Sequence, residues 1–314
     1  MRYFTAIVSL TAALLLASAG ANADIQKAEA AMKRGDHAAA LLEWTPLALQ
    51  GNATAQYNLG LMSENGQGVP KDDKAAVKWY TLAAKQGFAA AQHRLGQRIA
   101  RNRAVPEDQE AAVKWYRLAA DQGFAPAQVD LGLMYANGRG APKDDRAAVK
   151  WYRLAADQKN ARAQYNLGWM YANERGVPRN AATAVQLYTL AADQGLPVAQ
   201  NSLALMYEKG TGVPQDFKAA VKWYRAAAKK GFAKAQFNLG VMHDQGKGVP
   251  QNNVYAHVWY NIVASSGDKD AIAKRDAVAK RMTRTDIAKA QFLARECVDK
   301  KFNGCPAKIS IPKF

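Results

Sequence analysis

The chain has 314 residues, with 43 Lys+Arg against 26 Asp+Glu. That excess favours acidic partners: nucleic acid, anionic lipid or an acidic envelope polymer. No apolar run approaches the about 20 residues that a spanning helix needs, which argues against an integral membrane protein.

The first segment reads as a targeting signal. Met1-Arg2 gives a positive start, Ala6 to Ala19 is apolar and almost uncharged, and Ala21-Asn22-Ala23 is a small-x-small cleavage site before Asp24. A signal peptide over residues 1–23, cleaved near Ala23, predicts a periplasmic or secreted protein; the alternative is an uncleaved N-terminal anchor. No Cys adjoins the site, which argues against a lipid anchor. Export removes nucleic acid from the partners unless the protein leaves the cell. Without residues 1–23 the balance is 42 Lys+Arg against 26 Asp+Glu, or +16.

Residues 24–52 form an N-terminal partial repeat, whose second helix carries Trp44. From there the dipeptide Ala-Gln recurs at Ala55, Ala91, Ala127, Ala163, Ala199 and Ala235, always 36 residues on. A fixed period of this length means one helix-turn-helix unit stacked on itself. In the first unit Ala55, Leu59 and Met62 form the apolar stripe of one helix, and Gly60 lets a neighbour approach closely. The segment Glu64 to Pro70 breaks that helix. Asp72 or Asp73 then caps a second helix with the stripe Ala76, Trp79, Tyr80 and Ala83, and Gly87 supplies a left-handed stop.

Later copies keep this grammar. The aromatic pair returns as Trp115-Tyr116, Trp151-Tyr152, Trp223-Tyr224 and Trp259-Tyr260, softened once to Leu187-Tyr188. These pairs are expected in the core. Lys159 replaces one stop glycine, at a cost of about 1 kcal/mol if the left-handed geometry is kept. The loop Asn102 to Pro106 has lost both its glycines and is expected to keep its length but bend differently.

The motifs Ala55-Gln56-Tyr57-Asn58-Leu59-Gly60, Gly66-Gln67-Gly68-Val69-Pro70 and Lys74-Ala75-Ala76-Val77-Lys78-Trp79-Tyr80, with their copies over 53–268, resemble the Sel1-like repeat family, relatives of the tetratricopeptide repeats. The resemblance implies an all-α, right-handed superhelical solenoid of antiparallel helix pairs. It also implies an adaptor. Similar proteins act as scaffolds in secretory quality control, periplasmic regulators of sensor kinases, or bacterial factors in contact with host cells.

On each first helix a second stripe varies between copies while the core stripe does not. The positions equivalent to Tyr57 run Tyr57, His93, Val129, Tyr165, Asn201, Phe237; those equivalent to Asn58 run Asn58, Arg94, Asp130, Asn166, Ser202, Asn238. Those equivalent to Leu61 run Leu61, Gln97, Leu133, Trp169, Leu205, Val241. Stacked first helices would make this the concave wall, a groove for a protein or peptide segment through Tyr57, Asn58, Arg94, Tyr165, Asn166, Trp169, Asn201 and Phe237. Trp169 and Tyr165, four apart on one face, are the sharpest candidates. Against this stands packing of the same rings on the neighbouring second helix.

After Gly267 the pattern changes to charged capping helices over 269–300, with a capping-box-like Thr283-x-x-Asp286, and an extended tail over 301–314. Cys297 and Cys305 are expected to pair as a disulfide that ties the tail to the last helix, worth about 2–3 kcal/mol. From Gly267 to the end, 12 Lys+Arg face 6 Asp+Glu, so binding of peptidoglycan or another anionic envelope polymer is the second functional expectation.

Enzyme chemistry has little support. His37, His93, His243 and His257 are scattered without metal-ligand spacing, and no phosphate loop appears, so neither a metal nor a cofactor is expected. Some cysteine-rich relatives are linked to β-lactam hydrolysis, and Ser266-Gly267-Asp268-Lys269 matches a bare Ser-x-x-Lys. Gly267 should break the shared helical face that this chemistry requires, and the companion motifs are missing. The expectation is therefore a non-catalytic interaction scaffold, with a hydrolase as the remote alternative.

Overall fold

The structure, a computed structural model, describes residues 22–101, 106–303 and 305. Most of the expected signal segment, the altered loop over 102–105 and most of the tail lie outside them. Among the described residues there are sixteen helices and no strand. The chain divides into two compact units, one ending at Asp144 and the other beginning at Asp145.

In the first unit, α1 (22–34) and α2 (His37–Leu49) form the N-terminal pair. They are followed by α3 (Ala53–Asn65), α4 (Asp73–Lys85), α5 (Ala89–Ala100), α6 (Pro106–Asp121) and α7 (Ala125–Asn137). The second unit runs from α8 (Asp145–Asp157) through α9 (Ala161–Ala172), α10 (Ala181–Asp193), α11 (Pro197–Lys209) and α12 (Phe217–Ala228). It continues with α13 (Ala233–Gln245) and α14 (Asn253–Ala264), and closes with α15 (Lys269–Ala279) and α16 (Arg284–Asp299). The fold class is the expected one, an all-α solenoid of helix pairs.

The invariant Ala-Gln dipeptide has a direct physical reason. All six alanines are fully buried, so nothing larger fits where each first helix meets its predecessor. The glutamines beside them are buried too, and their amides replace lost water. Gln56, Gln92, Gln128, Gln200 and Gln236 each donate from Nε2 to the carbonyl oxygen eight residues earlier, at 3.1–3.2 Å. Each such bond contributes about 1 kcal/mol and holds one repeat to the next.

A second glutamine completes the ladder. Gln86, Gln122 and Gln194 donate to the Oε1 atoms of Gln56, Gln92 and Gln164 at 2.7–2.8 Å. Lys230 occupies the equivalent place one repeat later and donates instead to the Gly195 carbonyl at 2.6 Å. The buried Oε1 of Gln200 is left without a partner. Lys230→Gln is therefore expected to raise stability by about 1 kcal/mol, read as a higher urea midpoint. An unchanged or lower midpoint would mean the ladder carries no net energy.

Second helices start on a repeated cap: Asp72, Asn180, Asp216 and Asn252 each accept from first-turn backbone N–H groups. Asp72, not Asp73, is the cap of α4. Lys159 keeps the left-handed geometry with φ +62°, so its cost of about 1 kcal/mol stands. Glu174 adopts φ +55° at the place of a loop glycine in the fourth repeat, a second such substitution.

The aromatic pairs divide their work, which corrects the expectation that both rings are hidden. Tyr80, Tyr116, Tyr152, Tyr188, Tyr224 and Tyr260 are buried. Tyr80 and Tyr260 each fill the space beside a glycine of the preceding first helix; a Cβ at Gly60 would lie 2.5 Å from the Tyr80 ring. Trp79, Trp115 and Trp223 are only half-buried, since each turns back onto the preceding pair. Trp151 and Trp259 are buried.

The second unit ends on α16, which buries Ala290, Leu293, Ala294 and Cys297 along one stripe. Thr283 caps it by accepting from the Asp286 N–H at 3.1 Å. Cys297 and Cys305 are disulfide-bonded and buried, with Cα atoms 5.4 Å apart, and the Phe302 ring lies over Gly231.

Candidate functional site

The variable stripe of the first helices is more constrained than its variation indicates. In the first unit the Tyr57 ring is half-buried, 5.8 Å from Tyr80 and 5.2 Å from Phe88 between ring centroids. Asn58 donates to the Thr54 carbonyl at 3.0 Å, within its own helix. Arg94 interacts with Tyr57 of the preceding repeat. Burial works against the Arg94 charge, but the interaction with Tyr57 and the nearby Glu64 carboxylate outweigh it and raise its pKa. His93 is buried between Tyr116 and Phe124, and its Nε2 meets Asp130 at 2.8 Å.

Close by, Arg98 stands where other copies carry a core methionine. It is held by Glu64 and Asp73, each at 2.9 Å, while the Tyr80 hydroxyl donates to the other Glu64 oxygen at 2.6 Å. Burial, then this bond, pushes the Tyr80 phenol far above its usual range. The result is an ionic joint between two repeats.

In the second unit the sites differ from one another. Tyr165 is half-buried with its ring 5.6 Å from Tyr188, and Asn166 is half-buried beside it. Trp169 is 38% exposed, with the Arg175 guanidinium 5.4 Å over its ring. That guanidinium is anchored by Asp145 through Nε and Nη2. Asn201 is buried, and its Oδ1 accepts from Asn238 at 3.2 Å. Phe237 is half-buried against Tyr260 at 5.4 Å.

Of these residues, Asn201 and Phe237 come together around one pocket, along with Leu205 and Asn238. Val263 extends its apolar floor, and Lys234, Asp268 and Asp270 bring charge to its edge. A neighbouring pocket, between α10 and α11, is lined by Tyr188, Ser202, Leu205 and Lys209 among others. Leu205 is shared, so the two follow one another along the first helices of this unit. Leu205 and Asn238 stand at stripe positions already singled out from the sequence. Asp268 closes the sixth repeat, where earlier copies carry Phe88, Phe124, Asn160, Leu196 and Phe232, and Asp270 lies beyond the periodic region.

Ser266 and Lys269 do not share a helical face. Gly267 between them has φ +84°, and the Ser266 hydroxyl donates to the Val263 carbonyl at 2.8 Å. Among the described residues no group of three or more His, Cys, Asp or Glu is placed to hold a metal ion. Nor is any described helix long and apolar enough to cross a membrane.

Stacked helix pairs with variable residues gathered on one stripe are the build of a repeat solenoid that acts through its surface. The Sel1 repeat model matches residues 53–88, 89–124, 125–160, 161–196, 197–232 and 233–268, and the chain belongs to the Sel1 repeat family. A crystal structure of a Sel1 repeat protein from Oxalobacter formigenes is 32% identical, with a TM-score of 0.70, over 76% of this chain and 96% of that one. That of c5321, a protective antigen of uropathogenic Escherichia coli with an SLR fold, is 27% identical with a TM-score of 0.79. That match covers 88% of this chain but 61% of the other, so this chain spans about three fifths of that protein. No curated protein gave a match. Sel1 repeat proteins generally mediate protein–protein interaction, and the family is generally non-catalytic.

Proposed function

We propose that the chain is an exported scaffold, periplasmic or secreted, that holds an extended segment of a partner protein along the first helices of its second unit. The observation that carries this reading is the pocket formed by Asn201, Leu205, Phe237 and Asn238. Its apolar floor suits an apolar side chain, and the carboxylates of Asp268 and Asp270 at its edge suit a neighbouring Lys or Arg. Trp169, exposed and already under a guanidinium, offers a second aromatic contact of the kind that dominates interfaces. The charged start, apolar run and small-x-small site at the N-terminus, together with the cysteine pair, support export.

Trp169→Ala with Tyr165→Ala is expected to weaken capture of a crosslinked protein partner about thirtyfold or more, at the hot-spot scale of about 2 kcal/mol. Trp169→Ala alone, at an exposed position, should do so without lowering the melting temperature. Unchanged affinity of folded variants would refute the site.

A second reading, an anionic envelope polymer bound by the basic C-terminal helices, is favoured by the exposed Lys274, Lys280 and Arg284. Sedimentation with peptidoglycan separates the two readings. Binding through these cations must fall steeply with salt, whereas capture on an aromatic and apolar groove falls less.

A further inference from the structure

The outer face of the first unit carries an apolar stripe that the groove does not use. On α2 the residues Ala38, Leu42, Pro46 and Leu49 share one exposed face, with Leu42 76% and Leu49 74% exposed. The next second helix along is α4, whose Trp79 packs onto the α2 core. On α4 the matching row reads Lys74, Lys78, Leu82, Lys85, all exposed, with Leu82 at 46%. An apolar stripe therefore lies beside a row of three lysines.

In the last repeat the same register position is covered, whereas Leu118, Leu154 and Leu190 at that position are exposed. Ile262 is the counterpart of Leu82 five repeats on, yet it is only 7% exposed. It belongs to the core cluster that α16 closes with Ala290, Leu293 and Ala294. The occupant of that position is thus an amphipathic helix with small and apolar residues along one stripe.

We propose that α2 and α4 together dock an acidic amphipathic helix of a partner protein. Its apolar stripe would cover Leu42, Leu49 and Leu82, as α16 covers Ile262, and its acidic flank would face Lys74, Lys78 and Lys85. The charge row selects an acidic helix, because a basic one would meet like charge along its whole length. This surface is separate from the groove of the second unit, so either can fail without the other.

The test uses the whole chain and a labelled 18-residue helix of leucines at i, i+3, i+4 and i+7 flanked by glutamates. A control peptide carries lysines in place of the glutamates, and phosphatidylglycerol vesicles form a third arm. Fluorescence anisotropy should show the glutamate peptide binding and the lysine peptide not. Leu42→Glu with Leu49→Glu should weaken binding about tenfold or more. Both sites are exposed, so the melting curve of that variant should match the parent's. Lys78→Glu with Lys85→Glu should also weaken the complex and flatten its salt dependence. Equal binding of both peptides, insensitivity to either double variant, or binding to the vesicles without the peptide would overturn the proposal.

Discussion

Gly248→Ala is expected to destabilise the second unit by about 3 kcal/mol, the largest single effect of any substitution considered. Two costs add. Gly248 has φ +68°, a left-handed conformation worth about 1–2 kcal/mol against any residue with a Cβ. In addition, an added Cβ would lie 2.2 Å from the backbone oxygen of Phe217, at the first turn of α12. Backbone cannot turn aside as a flexible side chain can, and overpacking of this kind costs about 1–3 kcal/mol. Gly267 separates the two terms, since it has φ +84° but nothing within 4 Å of its Cβ position. Gly267→Ala should therefore cost only the conformational part. Equilibrium urea unfolding of both variants checks this; equal losses would show that the loop is not seated on the preceding second helix. Lys159 and Glu174 show that the molecule tolerates the conformational cost alone.

Acid should weaken the second unit through a buried histidine. His243 stands where Tyr135, Tyr171 and Tyr207 occur in earlier copies, edge-on to Tyr255 at 5.4 Å. Burial first, and the Arg225 charge second, push its pKa down to about 4 from 6.5. Between those values the unfolded chain takes up a proton that the folded one refuses. Stability is therefore intact above pH 6.5 and is lost as pH falls toward 4, by about 3 kcal/mol in all. His257, lowered by burial and then by Arg275, acts in the same direction. His243→Tyr should remove the larger share. Urea midpoints at about pH 7.5 and pH 4.5 provide the comparison. If the variant loses as much stability on acidification as the parent, His243 is not the responsible group.

The fold was legible because its rules repeat. A buried alanine beside a glutamine that bonds a backbone carbonyl leaves the same two letters in every copy, and the tyrosine that fills the space by a glycine leaves another. The stripe was harder to read because its variation has a source that single positions do not reveal. Tyr57 pairs with Arg94, His93 with Asp130, and Asn201 with Asn238, each spanning 37 residues rather than 36. Polar pairs of this kind match one repeat to the next, so part of the variation is mutual adjustment between neighbours. Reading columns in pairs, one repeat plus one residue apart, would have shown it. The half-buried tryptophans were missed for a related reason: the pattern places an aromatic on the inner face but does not say that it reaches back past its own pair. Asp270 lies past the last repeat with no copy to be compared with, Asp268 departs from the Phe, Asn or Leu of earlier copies, and only the fold brings both to Phe237.

The most direct measurement is photocrosslinking in intact cells, with a benzophenone amino acid placed at Leu205, the residue shared by both pockets, and at Lys218 on α12 as a control. Capture along the first helices predicts one discrete protein adduct from position 205 and none from 218, mapping to an apolar residue beside a Lys or Arg. Equal labelling from both positions, or an adduct with envelope glycan alone, would contradict it.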